Sequence, residues 1–209
     1  KPRRSRRDVV HQSIMTSQIP DEFHFKGEKF SLVGLSGEGL YAPMDFGIET
    51  MGNCSACWRG YIMVYDCVDD NLVLKDMWLN HRGDELPEIN GKKPINAKTE
   101  DPYRSLFYRV YKGIGLKTRF TGKMLLAKDF IEDMYVHMGF QKPVAFKVVL
   151  EITVEDGKIT TIKDKSKLME EMRLQAPERN QPAPRNVDDE EEIHKWISNR
   201  FSLDYDLEG

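Results

Sequence analysis

Cysteines and long apolar runs are both scarce in this chain of 209 residues, and each scarcity excludes a class of protein. Three cysteines are a small and odd number, which argues against a disulfide framework and favours reduced thiols in a cytoplasmic location. No stretch approaches the roughly 20 apolar residues that span a bilayer, so we expect a soluble protein that does not enter a membrane. The basic first residues are not followed by the apolar run of an export signal.

An excess of positive charge and phosphate-binding loops are also missing. The chain has 31 basic and 34 acidic residues, a net charge of −3, which argues against a surface built to bind nucleic acid. Gly113-Ile114-Gly115 lacks the third glycine of a dinucleotide-binding loop, and Gly122-Lys123 lacks the Ser or Thr that follows in a P-loop. The sequence thus carries no recognisable catalytic signature, and we expect no cofactor.

Bulky side chains are abundant and indicate one folded domain with appendages. Hydrophobic residues make up 40% of the chain, with ten Phe, eight Tyr and three Trp, which is typical of a globular protein. The sequence pattern predicts five segments. They are a basic, disordered arm at 1–22, a β-rich domain at 23–164, a packing helix at 165–175, a Pro-rich linker at 176–187 and an acidic amphipathic helix at 188–209.

Residues 1–14 have two interpretations. Met15 begins a segment that reads like an ordinary start, so the residues before it fit an upstream extension. Alternatively, they form a native basic arm whose five positive charges attract phosphates weakly and without sequence preference. Neither interpretation makes nucleic acid a favoured partner.

Strand-like patterns dominate residues 23–162. Residues 58–68 carry apolar or aromatic side chains on both faces, which predicts a central strand covered on both sides. The aspartates and asparagine at 69–71 and the Asp-Gly pair at 156–157 are typical of hairpin turns, whereas the Gly-rich residues 34–60 indicate a loop. We therefore predict an α+β fold that is mainly β, either an antiparallel meander sheet or a partly open barrel, with C-terminal helices.

The last segment has the pattern of an amphipathic helix. Asp188 can cap it, and Glu191 stands three residues later in the capping-box position. Four apolar residues then recur at helical spacing and form one stripe. A helix of this kind on a Pro-rich linker predicts a surface for a protein partner or for a homo-oligomer, made by Ile193, Trp196, Ile197 and Phe201.

Cys54 and Cys57 form a CxxC pair without the second pair that a structural zinc site requires. Cys67 and His81 follow at spacings that match no zinc motif. A thioredoxin-like redox pair is disfavoured because its CxxC opens a helix, whereas this one enters a strand. We predict no metal site.

Aromatic and glycine residues recur in three short motifs, WRGY at 58–61, FTG at 120–122 and YVHMGF at 135–140. With the hairpins at 71–74 and 151–159, they resemble a family of uncharacterised bacterial proteins that carry these motifs in the same order. The resemblance covers about half of the chain, from residue 58 to residue 160. It implies kinship and a bacterial source, and no activity is attached to the motifs.

Arg59 lies two residues before Tyr61, on one face of the predicted strand, which places a guanidinium beside a phenol. Such a pair suits a carboxylate, a phosphate or a nucleobase, and a histidine adds a switchable charge. The first interpretation of these residues is a ligand pocket lined by Arg59, Tyr61, Thr121 and His137.

Arg59 has a second interpretation, in which it pairs with a buried carboxylate such as Asp66 or Asp76 while the neighbouring aromatics are core residues. Two functional hypotheses follow. The favoured one is a non-enzymatic interaction or accessory module, for instance an immunity-like protein, that binds through its C-terminal helix. The alternative is a small-molecule or nucleotide-binding enzyme with its pocket around Arg59 and His137.

Overall fold

The computed structural model describes residues 17–83, 85–175 and 190–205. Within these ranges, ten strands and two α-helices follow one another. The strands are β1 (Glu22–Phe25), β2 (Glu28–Glu38), β3 (Tyr61–Val68), β4 (Asn71–Leu79), β5 (Ile95–Asn96), β6 (Arg109–Tyr111), β7 (Leu116–Lys117), β8 (Thr121–Phe130), β9 (Phe146–Glu155) and β10 (Lys158–Asp164), and the helices are α1 (Ser166–Gln175) and α2 (Glu190–Phe201).

The strands form one mixed sheet in the order β10-β9-β8-β2-β1-β3-β4-β6-β5, with β7 beside β4. Only the β1–β3 pair among these is parallel. β10 also meets β4 where Lys158 pairs with Asn71, which bends the sheet into a partly closed ring. The predicted fold class is therefore confirmed: the chain is mainly β, mostly antiparallel and partly ring-like, with helices at its C-terminal end.

Two hairpin turns form where the sequence predicts them. Asp69 and Asp70 both adopt positive φ between β3 and β4. Asp156 and Gly157 do the same between β9 and β10. Asp tolerates this left-handed backbone and Gly adopts it without strain, so the local sequence fixes both turns.

β3 is covered on both faces, as predicted. Met63 and Tyr65 point into the ring and belong to its main apolar core. Ile62 and Val64 point outward and pack with Trp78 under residues 106–110. The strand begins only at Tyr61, however, because Trp58, Arg59 and Gly60 form a turn in which Gly60 N donates to Cys57 O.

The prediction of a loop over 34–60 is wrong at its start, because β2 extends to Glu38. Gly37 pairs with Gly122 of β8, and its φ is +139°. A Cβ at Gly37 would overlap the backbone of Thr121, so the absence of a side chain here lets β2 and β8 approach closely.

The two helices differ in how they meet the sheet. α1 begins and ends close to the prediction and buries Met169 against the outer face of β9. The predicted capping residue Asp188 lies outside the described residues. α2 ends at Phe201, well before residue 209, and the described residues after it are not helical. In the part of the chain that is described, neither helix has the length and apolar character needed to cross a bilayer.

Candidate functional site

Arg59 is clamped by a carboxylate that lies just before β1. Its Nη1 and Nη2 donate to the two carboxylate oxygens of Asp21 at 2.9 and 2.8 Å, and Nη2 also reaches the carbonyl of Ile19 at 3.3 Å. Asp21 Oδ1 additionally accepts the backbone N–H of Met63 at 2.7 Å. The clamp therefore fastens the segment before β1 to the start of β3.

Arg59 pairs with a carboxylate, as its second interpretation predicts, but this carboxylate belongs to a different residue. Asp66 accepts a hydrogen bond from Lys75, and Asp76 accepts one from the backbone of Gly113. The carboxylate at Arg59 is that of Asp21, which the sequence pattern had placed in the disordered arm.

Charge and burial reinforce the clamp. Burial opposes the charge on Arg59, but the neighbouring carboxylate of Asp21 overcomes this effect and raises the pKa of the guanidinium. The guanidinium also lies over the rings of Tyr61 at 4.6 Å and Phe140 at 5.7 Å. Burial raises the pKa of the Tyr61 phenol, so the pair stays as a cation on a neutral ring. Both terminal nitrogens of Arg59 are thus engaged by groups of the chain itself.

The other predicted ligand residues are dispersed. Thr121 begins β8, where its Oγ1 accepts the N–H of Asp156 at 2.9 Å. His137 is exposed and meets the ring of Tyr135 edge-on at 5.0 Å. Of the four predicted pocket residues, the structure therefore brings only Arg59 and Tyr61 into contact.

A groove of about 780 Å³ runs beside residues 17–22. None of the four predicted pocket residues lines it, although Asp21, Phe140 and Glu22 do. Glu22 is paired with the chain's own cations: Arg104 Nη2 donates to it at 2.7 Å, and Lys29 Nζ lies 3.5 Å away. Although burial opposes the charge, hydrogen bonds from His24 and Arg104 lower the pKa of Glu22.

α2 is fastened to the sheet domain at its C-terminal end. The carbonyl of Arg200 accepts the N–H of Phe140 at 2.9 Å. Lys142 Nζ donates to the carbonyls of Asn199 and Ser202 at 2.8 and 2.9 Å. Beyond the helix, the carbonyl of Leu203 accepts the N–H of Leu35 at 2.8 Å. These contacts all involve residues 199–203, which leaves the start of α2 without a comparable backbone attachment among the described residues.

An aromatic stack completes this attachment. The rings of Trp58 and Phe201 lie 4.8 Å apart with an interplanar angle of 18°. Trp58 nevertheless remains 49% exposed. Ile197 stands one helical turn before Phe201 on the same face and is 38% exposed. We call the surface formed by Trp58, Ile197 and Phe201 the apolar stripe.

The remaining two predicted partner-binding residues have different positions. Trp196 is half-buried, with the guanidinium of Arg200 at 5.3 Å over its ring. Ile193 belongs to α2, but its side chain lies outside the described residues. Phe201 is used within the chain, since it packs against Trp58.

The sequence pattern did not identify the residues that hold the segment before β1 and α2 in place. Gln18 and Asp21, assigned to the disordered arm, are both buried, and the backbone N–H of Gln18 donates to Gly139 O at 2.8 Å. Gly139, at φ +76°, lies against the carbonyl of Arg200. The YVHMGF motif was the one signal that pointed to this glycine.

Comparison with protein-family models, with curated proteins and with solved structures found no match. The family resemblance, the bacterial source and the cytoplasmic location therefore stay predictions.

Proposed function

We propose that this chain is a non-enzymatic interaction module, and that its apolar stripe binds the same stripe of a second copy. The observation that carries the proposal is the Trp58–Phe201 stack, which fixes one end of α2 while Trp58 and Ile197 stay at the surface. An apolar line held at the surface by a dedicated aromatic contact is typical of a binding surface.

Charge along α2 favours a second copy as the occupant. Its first turn is acidic, with Glu190, Glu191 and Glu192, whereas its other end carries Arg200 and lies beside Lys142. Two α2 helices packed antiparallel would place the acidic start of each against the basic end of the other. Such an arrangement is self-complementary and has the two-fold symmetry of most homodimers.

The length of α2 limits the affinity that we expect for the dimer. A helix of 12 residues is about 18 Å long at roughly 1.5 Å per residue, so its face alone covers less than the approximately 800 Å² per partner of a standard interface. Trp58 extends the contact surface onto the sheet domain. We therefore expect a weak, reversible dimer that responds to concentration.

Sedimentation velocity on the full chain across a concentration series tests the proposal. The wild type should change from monomer to dimer as the concentration rises. Ile197→Glu should weaken the dimer at least about tenfold, because it places a charge in the contact. The matched control is Ser198→Glu, which adds the same charge at the next, exposed position of α2 and should leave association nearly unchanged.

Two outcomes contradict the proposal. One is a wild type that stays monomeric at every concentration, in which case a different protein becomes the occupant to consider. The other is equal weakening by both variants, which would assign the effect to net charge. Thermal unfolding of each variant checks that the fold itself is intact.

A further inference from the structure

The CxxC pair lies in a tight turn next to the apolar stripe. Cys57 N donates to Cys54 O at 3.3 Å, and this hydrogen bond closes a four-residue turn. The Cα atoms at the two ends of such a turn are within about 7 Å of each other. Disulfides join Cα atoms about 4.4–6.8 Å apart, so the closed turn is compatible with this bond.

The side chains of the two cysteines share one environment. Cys57 is buried in the outer apolar cluster formed with Ile62 and Trp78, and Cys54 packs against the same cluster. Both thiols are free, and Cys57 Sγ donates to the carbonyl of Tyr61 at 3.4 Å. Closure of the turn and a shared apolar cluster are two independent reasons to treat the cysteines as a pair.

The third thiol is too distant to compete. Cys67 lies on β3, six residues beyond the strand's first residue, Tyr61. At a rise of about 3.3 Å per residue, this places it roughly 20 Å further along the strand. Any internal disulfide must therefore join Cys54 to Cys57.

We propose that Cys54 and Cys57 are a modification site, at which exchange with a small-molecule disulfide forms an intramolecular disulfide. Cys54 is the more accessible thiol, while burial raises the pKa of Cys57 and keeps it protonated. The thiolate of Cys54 attacks the small disulfide, which forms a mixed disulfide and releases one small thiol. Cys57 then loses its proton and attacks Cys54 Sγ, which forms the internal bond and releases the second small thiol.

The location of the bond gives it a consequence. It replaces the hydrogen bond from Cys57 Sγ to Tyr61 O and fixes the turn immediately before Trp58. In a reducing compartment such a bond is reversible, so the site would link the thiol redox state to the residue that seats α2. This inference goes beyond the proposed self-association and does not depend on it.

Incubation of the full chain with oxidised glutathione, followed by intact mass and peptide mapping, tests the proposal. All proteins carry Cys67→Ser, which removes the third thiol. The protein with both remaining cysteines should lose two hydrogens and yield a linked Cys54–Cys57 peptide. Cys57→Ser should instead hold a stable glutathione adduct on Cys54. Cys54→Ser should be modified at least about tenfold more slowly, because the remaining thiol is buried.

A persistent glutathione adduct on Cys54 while Cys57 is present would overturn the proposal, as would a mass that does not change. The protein with both cysteines decides this alone, so the test stands even if Cys57→Ser fails to fold. Binding of a second copy is not part of the readout, and the two proposals can therefore fail separately.

Discussion

The side chains of Trp58 and Arg59 extend from the same turn and contact different regions of the molecule. Arg59 is directed into the structure, where Asp21 holds it with two hydrogen bonds. Trp58 lies at the surface, where it stacks on Phe201 and remains 49% exposed. The first contact joins the segments that lead into β1 and β3, and the second joins the sheet domain to a helix that is held at one end.

Stability of the sheet and attachment of α2 are therefore separable. A buried charge depends strongly on its partner, because removal of either one leaves the other charge desolvated. The attachment of α2 uses backbone carbonyls and one half-exposed ring stack, which are individually weaker. Substitutions in the two regions should therefore differ in size and in what they change.

The largest effect is expected for Asp21→Ala. This substitution leaves the guanidinium of Arg59 without its carboxylate and Met63 N without its acceptor. We expect the free energy of unfolding, measured with urea, to fall by about 3–5 kcal/mol.

Glu28→Ala is the control for Asp21→Ala, because Glu28 pairs with Lys128 at 2.6 Å but is exposed. It should cost no more than about 1 kcal/mol. Equal costs for the two variants would show that Arg59 does not depend on Asp21.

Gly139→Ala should have the next largest effect, because it acts on both regions of the comparison. Gly139 has positive φ, and a Cβ there would overlap the carbonyl of Arg200. Gly113→Ala is the matched control, since Gly113 also has positive φ but has open space around its Cα. The control should cost about 1–2 kcal/mol from backbone strain alone.

We expect Gly139→Ala to cost more than this control and to speed hydrogen exchange at Phe140 N, which donates to Arg200 O. If the two glycine variants lose the same stability and exchange at Phe140 is unchanged, α2 is not seated against Gly139.

Trp58→Ala should have the smallest effect on stability and a selective effect on α2. Loss of one aromatic stack is worth about 0.5–1.5 kcal/mol. Hydrogen exchange should accelerate at Phe140 and Leu35, whose N–H groups donate to Arg200 and Leu203. Tyr103→Ala, at a ring that is 64% exposed, should change neither quantity measurably. If hydrogen exchange at Phe140 and Leu35 is unchanged in Trp58→Ala, the stack does not contribute to the attachment of α2.

Local sequence was sufficient where the structure depends on local chemistry. The Asp156-Gly157 turn follows from the backbone freedom of those two residues. The two covered faces of β3 follow from apolar residues at both odd and even positions, since each parity of a strand faces one side. These features need no knowledge of what lies elsewhere in the chain.

The site was less predictable because its contacts are distant in sequence. Arg59 and Asp21 are 38 positions apart and meet only because β1 runs parallel to β3. The WRGY motif drew attention to Trp58 and Arg59, but the second interpretation of Arg59 makes the neighbouring aromatics core residues, whereas Trp58 is half exposed. α2 is attached through backbone carbonyls. Every residue has one, so the residue types do not reveal this attachment.

Hydrogen exchange along α2 at low and at high protein concentration is the most direct test of self-association through the apolar stripe. If the apolar stripe binds a second copy, the backbone N–H groups around Ile197 should gain protection as concentration rises, because the second copy covers that part of α2. The N–H groups bonded to Arg200 and Leu203, at Phe140 and Leu35, should be protected equally at both concentrations, since they are held within one chain. Protection that is uniform along α2 and independent of concentration would show that the apolar stripe does not bind a second copy.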